Sequence, residues 1–132
     1  MKITPDTNVL VRAIMVDDER QSELAQAELT GARAVALALP ALCELVWVLS
    51  KGYKVPVNEI AQTIRTLARS SNVVVNRPAV DAGLAMLDAG GDFSDGVIAF
   101  EGQQLGADVL VSFDRQAVKL LISKGKSARL LS

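Results

Sequence analysis

The chain has 132 residues, of which 50% are hydrophobic and 22% are charged, and its net charge at pH 7 is −1. This composition excludes a disordered tail, and it gives no overall attraction to nucleic acid, so binding there requires a local basic patch or metal ions. The single cysteine, Cys43, excludes an internal disulfide, and the absence of histidine excludes a zinc site of the finger type. The length predicts one domain over residues 1–132.

The first half of the chain predicts alternating strands and helices. Residues 34–39 are small and branched apolar residues without polar alternation, as expected of a strand covered on both faces. Gly31 is predicted to close the helix before this strand, and Pro40 to open the helix after it. The predicted elements are a strand over 2–4, helices over 8–15 and 22–29, the strand over 34–39, and helices over 40–50 and 57–69.

The second half continues the alternation. The predicted elements are a strand over 73–75, helices over 79–88 and 95–105, a strand over 109–112, a helix over 115–123 and a short final strand over 129–131. Strands that alternate with helices indicate an α/β fold with a mainly parallel sheet and helices on both faces. Such sheets bind ligands outside the carboxyl ends of their strands.

The sequence predicts a soluble, cytoplasmic protein. An acid and a proline interrupt the N-terminal segment, Pro5 and Asp6, where a signal peptide needs an unbroken apolar run. The longest apolar stretch, residues 34–49, is interrupted by Pro40 and Glu44 and is shorter than the roughly 20 residues that span a bilayer.

Four acids lie where apolar strand-like or helix-like segments would deliver them to one edge of the domain: Asp6, Glu44, Asp95 and Asp114. Like charges within about 4 Å repel each other by roughly 4 kcal/mol per pair at an effective dielectric near 20. A bound metal makes such a cluster tolerable, and a hard divalent ion with oxygen ligands is the natural candidate. Asp92 is a weaker fifth candidate near the same edge.

Glu44 is the most informative of these acids. Its neighbours on the predicted helix are apolar, and an ionised carboxylate buried among them requires a cation or hydrogen bonds. The sequence therefore favours a buried functional acid, with a glutamate that reaches water as the alternative.

The three aspartates have a structural alternative, because each lies at the start of a predicted helix, where aspartate commonly caps free amide groups. Ser94 and Ser112 are available as caps near Asp95 and Asp114, so these two carboxylates exceed what capping requires.

Two arginines and the aromatic residues complete the set of candidates. Arg12 lies near Asp6 and Arg115 follows Asp114, so both are candidates for binding substrate phosphates, with a solvated charge as the alternative. Only five aromatic residues occur, too few and too scattered for a base-stacking platform.

Taken together, four sequence segments resemble a PIN domain and, more narrowly, the VapC-type toxins of toxin/antitoxin pairs. These segments are residues 6–10 (DTNVL), the isolated Glu44, residues 91–95 (GDFSD) and residues 112–115 (SFDR). The resemblance covers the whole chain, with the segments in order and suitably spaced. One departure is Pro5, because an aliphatic residue is commoner before the first aspartate of the family.

The resemblance implies a three-layer α/β/α sandwich around a mainly parallel sheet of four to five strands. It also implies a ribonuclease, dependent on Mg²⁺ or Mn²⁺, that cleaves RNA and is silenced by a cognate antitoxin. The family's acids map to Asp6, Glu44, Asp95 and Asp114, with Asp92 as a helper. Thr7, Asn8 and Ser112 match polar neighbours that would support these ligands.

Further expectations concern assembly and the competing functions. The surplus of apolar residues favours a homodimer with a groove for a partner's helix. An aspartate-based phosphatase or phosphotransfer domain is a competing enzyme class, disfavoured because Asn8 stands where such a phosphatase needs a second aspartate. A non-catalytic interaction module on the same scaffold is the third hypothesis.

Overall fold

The structure of the protein is a computed structural model that describes residues Met1–Ser132. Helices and strands alternate along the chain, which confirms the predicted α/β class. In order they are β1 (Lys2–Ile3), α1 (Thr7–Ile14), α2 (Glu19–Gly31), β2 (Ala34–Leu37), α3 (Leu39–Trp47), a π-helical turn (Val48–Gly52), α4 (Val57–Arg69), β3 (Val73–Val75), α5 (Arg77–Asp88), α6 (Phe93–Gln104), β4 (Leu110–Ser112), α7 (Arg115–Ser123) and β5 (Ala128–Leu130).

The chain divides into two compact units, Met1–Asn76 and Arg77–Ser132. The first unit holds a parallel sheet in the order β1-β2-β3, with Ile3 paired to Val35 and Leu37 paired to Val75. Its core side chains come from the sheet, from helices α1, α3 and α4, and from the π-helical turn. They include Leu10, Val35, Leu42, Leu45, Leu49, Ile60 and Ile64, all at most 1% exposed.

The second unit holds the parallel pair β4-β5, in which Leu110 pairs with Ala128 and Ser112 with Leu130. Helices α5 and α6 pack against each other in this unit, and Phe93 of α6, 1% exposed, is part of its core. Every strand pairing within each unit is therefore parallel, as predicted, and the strands form one sheet of three and one of two.

Several element boundaries differ from the prediction for local reasons. β2 ends at Leu37 because α3 already begins at Leu39, with Pro40 in its first turn. Helix α2 is longer than predicted, since the Asp18 side chain caps its start by accepting from the Gln21 amide and Gly31 is its last residue. No helix in the structure combines the length and apolar character needed to cross a membrane.

Asp17 connects two segments of the first unit that are distant in sequence. Its carboxylate accepts a hydrogen bond from the Tyr53 hydroxyl at 2.7 Å and forms an ion pair with the Arg12 guanidinium at 3.0 Å. The Tyr53 hydrogen bond is the main cause that lowers the pKa of Asp17, and the same bond raises the pKa of Tyr53. The loop before α2 is thus attached to the segment after the π-helical turn.

Tyr53→Phe is expected to destabilise the protein in a pH-dependent way. The lowered pKa of Asp17 gives stability that is present above its ordinary value of 3.8 and is lost as pH falls through the folded-state value. The raised pKa of Tyr53 gives stability that is present below its ordinary value of 10.0 and is lost as pH rises through the folded-state value. The difference in melting temperature between wild type and variant should be largest near pH 7 and should shrink at both acid and alkaline pH.

A double-mutant cycle with Asp17→Asn isolates this pair from general effects of the substitution. In the Asp17→Asn background, Tyr53→Phe should change stability by an amount that no longer follows pH. A difference between wild type and Tyr53→Phe that stays constant from acid to alkaline pH would contradict the role given to this hydrogen bond.

Candidate metal centre

Three carboxylates of the second unit meet at one place on the protein. One oxygen from each of Asp92, Asp95 and Asp114 lies within 4.8 Å of the others. Asp95 is partly buried, whereas Asp92 and Asp114 are exposed. The acids come from the N-terminal ends of two helices, α6 and α7, so the cluster is produced by tertiary packing within this unit.

Asp114 is held in place by hydrogen bonds to its side-chain carboxylate and from its backbone amide. One of its carboxylate oxygens, Oδ1, accepts from the amides of Gln116 and Ala117 at 2.9 and 3.1 Å and so caps α7. Its own amide donates to the Ser112 hydroxyl at 2.9 Å. The expectation that Ser112 makes capping by Asp114 unnecessary is therefore wrong. The second carboxylate oxygen, Oδ2, takes no part in the cap.

Asp92 and Asp95 are placed by the start of α6. Asp92 occupies the cap position of this helix, but its side chain makes no capping hydrogen bond, so both its oxygens can face the cluster. Asp95 lies in the first turn. The expectation that Ser94 caps this helix is wrong, because the helix begins at Phe93, two residues before its predicted start.

The segment before α6 is fixed against α7, which brings the two helix ends together. The Gln116 side-chain amide donates to the Gly90 carbonyl at 3.1 Å. A Cβ atom at Gly91 would lie 2.8 Å from the Leu120 Cδ1 atom, so the turn packs closely against α7 here. Gly90 also has a φ of +92°, which side chains other than glycine rarely adopt. The turn therefore delivers Asp92 directly to the first turn of α7.

The electrostatics of the cluster are unfavourable for its own charges. Partial burial is the main cause that raises the pKa of Asp95, and repulsion by Asp92 and by Asp114 raises it further. No cation of the protein is among the causes of this shift. Ionisation of Asp95 is therefore disfavoured by its surroundings in the cluster.

These residues fit a hard divalent cation. Carboxylate oxygens are ligands that Mg²⁺ and Mn²⁺ prefer, and the cluster contains no sulfur or imidazole donor that would select a softer metal. Oxygens bound to one Mg²⁺ at about 2.1 Å lie at most about 4.2 Å apart, so small side-chain shifts would bring all three into its range. Asp92 is one of the three acids of this group, and its part as a helper of the other ligands stays a prediction.

Asp6 and Glu44 belong to the first unit. Asp6 is exposed, follows the carboxyl end of β1 and caps α1 by accepting from the Val9 amide at 3.1 Å. Thr7 and Asn8 form the first turn of that helix. Participation of Asp6, Glu44, Thr7 and Asn8 in the same centre as the three clustered acids stays a prediction.

Glu44 corrects one expectation. Glu44 is exposed, so the inference that its carboxylate is buried is wrong. Helix α3 buries Leu42, Leu45 and Val46 on one face, and Glu44 falls on the other face together with Trp47, which is 63% exposed. The alternative reading, a glutamate that reaches water, describes its position correctly.

The two arginines proposed for phosphate binding have different environments. The Arg12 guanidinium is engaged by Asp17 and its side chain is only 29% exposed. Arg115 is exposed, forms no ion pair and directly follows Asp114. Their roles toward a substrate stay predictions, and the structure leaves Arg115 the more available of the two.

A cavity of about 410 Å³ lies elsewhere in the second unit. Its lining is mainly apolar, with side chains such as Met86, Ile98 and Leu121, and it includes Lys124 and Lys126. None of the three clustered acids lines it. The cavity and the acid cluster are therefore two separate features of this unit.

Comparison with known protein families agrees with this geometry. The PIN domain family matches residues 3–120 of the chain. The chain therefore belongs to the PIN domain family, whose members are nuclease-type domains. No curated protein and no solved structure gives a significant match.

Proposed function

We propose that the protein is a metal-dependent endoribonuclease that hydrolyses RNA phosphodiester bonds. The observation that carries this proposal is the group of three carboxylates, within 4.8 Å of one another, in a chain of the PIN domain family. PIN domains generally use Mg²⁺ or Mn²⁺, and the donor atoms of this group suit these ions. The family match runs through both compact units, which supports treating residues 1–132 as a single PIN domain.

The residues receive the following roles. Asp95 and Asp6 would be the main ligands, and Glu44 and Asp114 would bind through waters or a second ion, with Asp92 completing the set. Mg²⁺ or Mn²⁺ held by these residues would supply Lewis acidity, which lowers the pKa of a water and offsets charge on the phosphate. One of the carboxylates would accept a proton from the attacking water. Ser112 supports Asp114 by accepting its amide hydrogen.

Incubation with total RNA is expected to give cleavage that depends on divalent metal. Purified protein should cleave RNA in Mg²⁺ or Mn²⁺. Cleavage should stop in EDTA and resume when excess metal is restored, because the carboxylates alone cannot offset the phosphate charge. Mapping the ends of the products would define the RNA and the position cut. Cleavage at an equal rate in EDTA would contradict the proposed mechanism.

Within this class, we infer that the chain is the VapC-type toxin of a toxin/antitoxin pair and acts as a homodimer. The order and spacing of its acids support the toxin assignment. Exposed apolar side chains support a protein interface, among them Trp47 on α3 at 63% exposure and Leu24 on α2 at 57%. An antitoxin that covers the acids would block access of RNA to the centre.

A further inference from the structure

An aromatic ring stands in solvent on the residue that precedes one acid of the candidate metal centre. The Phe113 side chain is 79% exposed, whereas Phe93, in the same unit, is 1% exposed. Phe113 immediately precedes Asp114, one of the three clustered acids. A phenylalanine in this position forgoes the free energy that burial would provide, so a partner for its ring offers a physical reason for its presence.

The backbone on both sides of Phe113 is fixed. Ser112 ends β4, and its hydroxyl accepts the hydrogen bond from the Asp114 amide across Phe113 at 2.9 Å. The Asp114 side chain is in turn bonded to the first amides of α7. The ring is therefore presented from a short turn held by hydrogen bonds, which lowers the entropy that a bound partner would have to remove.

The C-terminal part of the second unit carries charge that favours an anionic polymer. After Arg77, the first residue of this unit, residues 78–114 contain seven acids and no lysine or arginine, whereas residues 115–132 contain five cations and no acid. Arg115 and Lys119 lie four residues apart on α7, hence on the same side of the helix. Both are exposed and neither forms an ion pair.

We propose that Phe113 stacks on a base of single-stranded RNA while Arg115 and Lys119 bind the neighbouring phosphates. This inference rests on the proposed nuclease function and names the form of the substrate at the same centre. Every nucleobase has a flat face, so one aromatic ring fixes a nucleotide without reading its identity. Five aromatic residues are too few for an extended platform, but a single ring suffices to position one base beside the acids.

The ring gives the first test, by equilibrium binding of fluorescent oligomers to Asp95→Asn protein in EDTA, where hydrolysis does not consume the probe. Phe113→Ala should weaken binding of a short oligoadenylate roughly 5- to 100-fold. It should leave binding of an abasic ribose-phosphate oligomer of the same length unchanged. Phe113→Trp should restore the preference for the oligomer that carries bases.

Leu105→Ala is the matched control for the ring, because Leu105 is also in this unit and is 89% exposed. It should bind both oligomers like the parent protein. The proposal is overturned if the parent does not bind oligoadenylate measurably, if it binds both oligomers equally, or if Phe113→Ala keeps the preference.

The cations give the second test. Arg115→Gln and Lys119→Gln should each reduce the dependence of log K on log salt concentration by about 0.7, the value for one phosphate contact on a single strand. Arg20→Gln, which removes an exposed charge from α2 in the first unit, should leave this slope unchanged. If Arg115→Gln, Lys119→Gln and the parent show the same slope of log K against log salt concentration, the phosphate contacts proposed for these two residues are overturned.

These measurements separate the inference from the nuclease proposal. Base-dependent binding without any metal-dependent cleavage would sustain the RNA site and overturn the nuclease. Metal-dependent cleavage by a protein that binds both oligomers equally would sustain the nuclease proposal and overturn the RNA site.

Discussion

Replacing Asp95 by Asn is expected to lower RNA cleavage by about 100-fold or more, because under the proposed mechanism the variant loses a charged metal ligand. The amide is nearly isosteric with the carboxylate, so the fold should be retained. Initial rates on total RNA in saturating Mg²⁺ would measure the loss. Expression of wild type in a bacterial host should arrest growth, and expression of the variant should not.

The same substitution should stabilise the metal-free protein. Because the folded-state pKa of Asp95 is raised, its ionised form costs stability above that pKa, and the cost disappears as pH falls below the ordinary value of 3.8. Asp95→Asn should therefore raise the free energy of unfolding at pH 7 by about 0.5 to 1 kcal/mol, the scale of partly exposed charge pairs. The gain should vanish near pH 4.

Metal should reverse this order of stabilities. At a free metal concentration of a hundred times Kd, wild type should gain about 2.7 kcal/mol from binding. Asp95→Asn, with a weakened site, should gain little. Melting curves with and without Mg²⁺ would show wild type less stable than the variant in EDTA and more stable in metal.

Asp81→Asn is the control for both effects, since it removes an exposed charge from α5 of the same unit, outside the cluster. It should keep full cleavage and the full response to metal. An Asp95→Asn protein that is folded and as active as Asp81→Asn would contradict the assignment of Asp95 as a ligand.

Gly96→Ala is expected to lower the free energy of unfolding by about 2 to 3 kcal/mol. A Cβ atom there would collide with the Ala82 carbonyl oxygen and would lie 2.9 Å from the Gly83 Cα atom, both in the backbone of α5. Overpacking costs typically 1 to 3 kcal/mol and more against backbone, and the better helix propensity of alanine offsets only about 1 kcal/mol. The melting temperature should fall by about 10 °C.

Gly102→Ala in the same helix provides a matched control of opposite sign. No atom lies within 4 Å of a Cβ placed at Gly102, so the substitution should stabilise the protein by up to about 1 kcal/mol. Urea unfolding of both variants would compare them directly. A Gly96→Ala protein as stable as Gly102→Ala would show that α5 and α6 do not need this backbone contact.

The elements with strong periodic patterns were predictable from the sequence. Helices Val57–Arg69 and Arg115–Ser123 and strand Val73–Val75 have the bounds that the sequence predicts. In α4, Ile60 and Ile64 recur at helical spacing and are buried as expected. Local side-chain patterns determine such segments, because the period of the buried face is set by backbone geometry.

Capping and burial were less predictable. The start of α6 was placed too late, because Asp92 occupies its cap position without forming a side-chain hydrogen bond. Glu44 was expected to be buried because its sequence neighbours are apolar. Sequence neighbours on a helix point in different directions, and the packed face of α3 is the one that carries Leu42 and Leu45.

The sequence by itself determined the alternation of helices and parallel strands, the family and the supply of acids, because these depend on composition, periodicity and motif spacing. Only the tertiary structure decided which carboxylates meet. Asp92 and Asp114 are far apart along the chain, and their approach depends on the turn at Gly90 and Gly91 and on its packing against α7. Such contacts between distant segments are fixed by close packing of side chains and backbone, a property that no local pattern encodes.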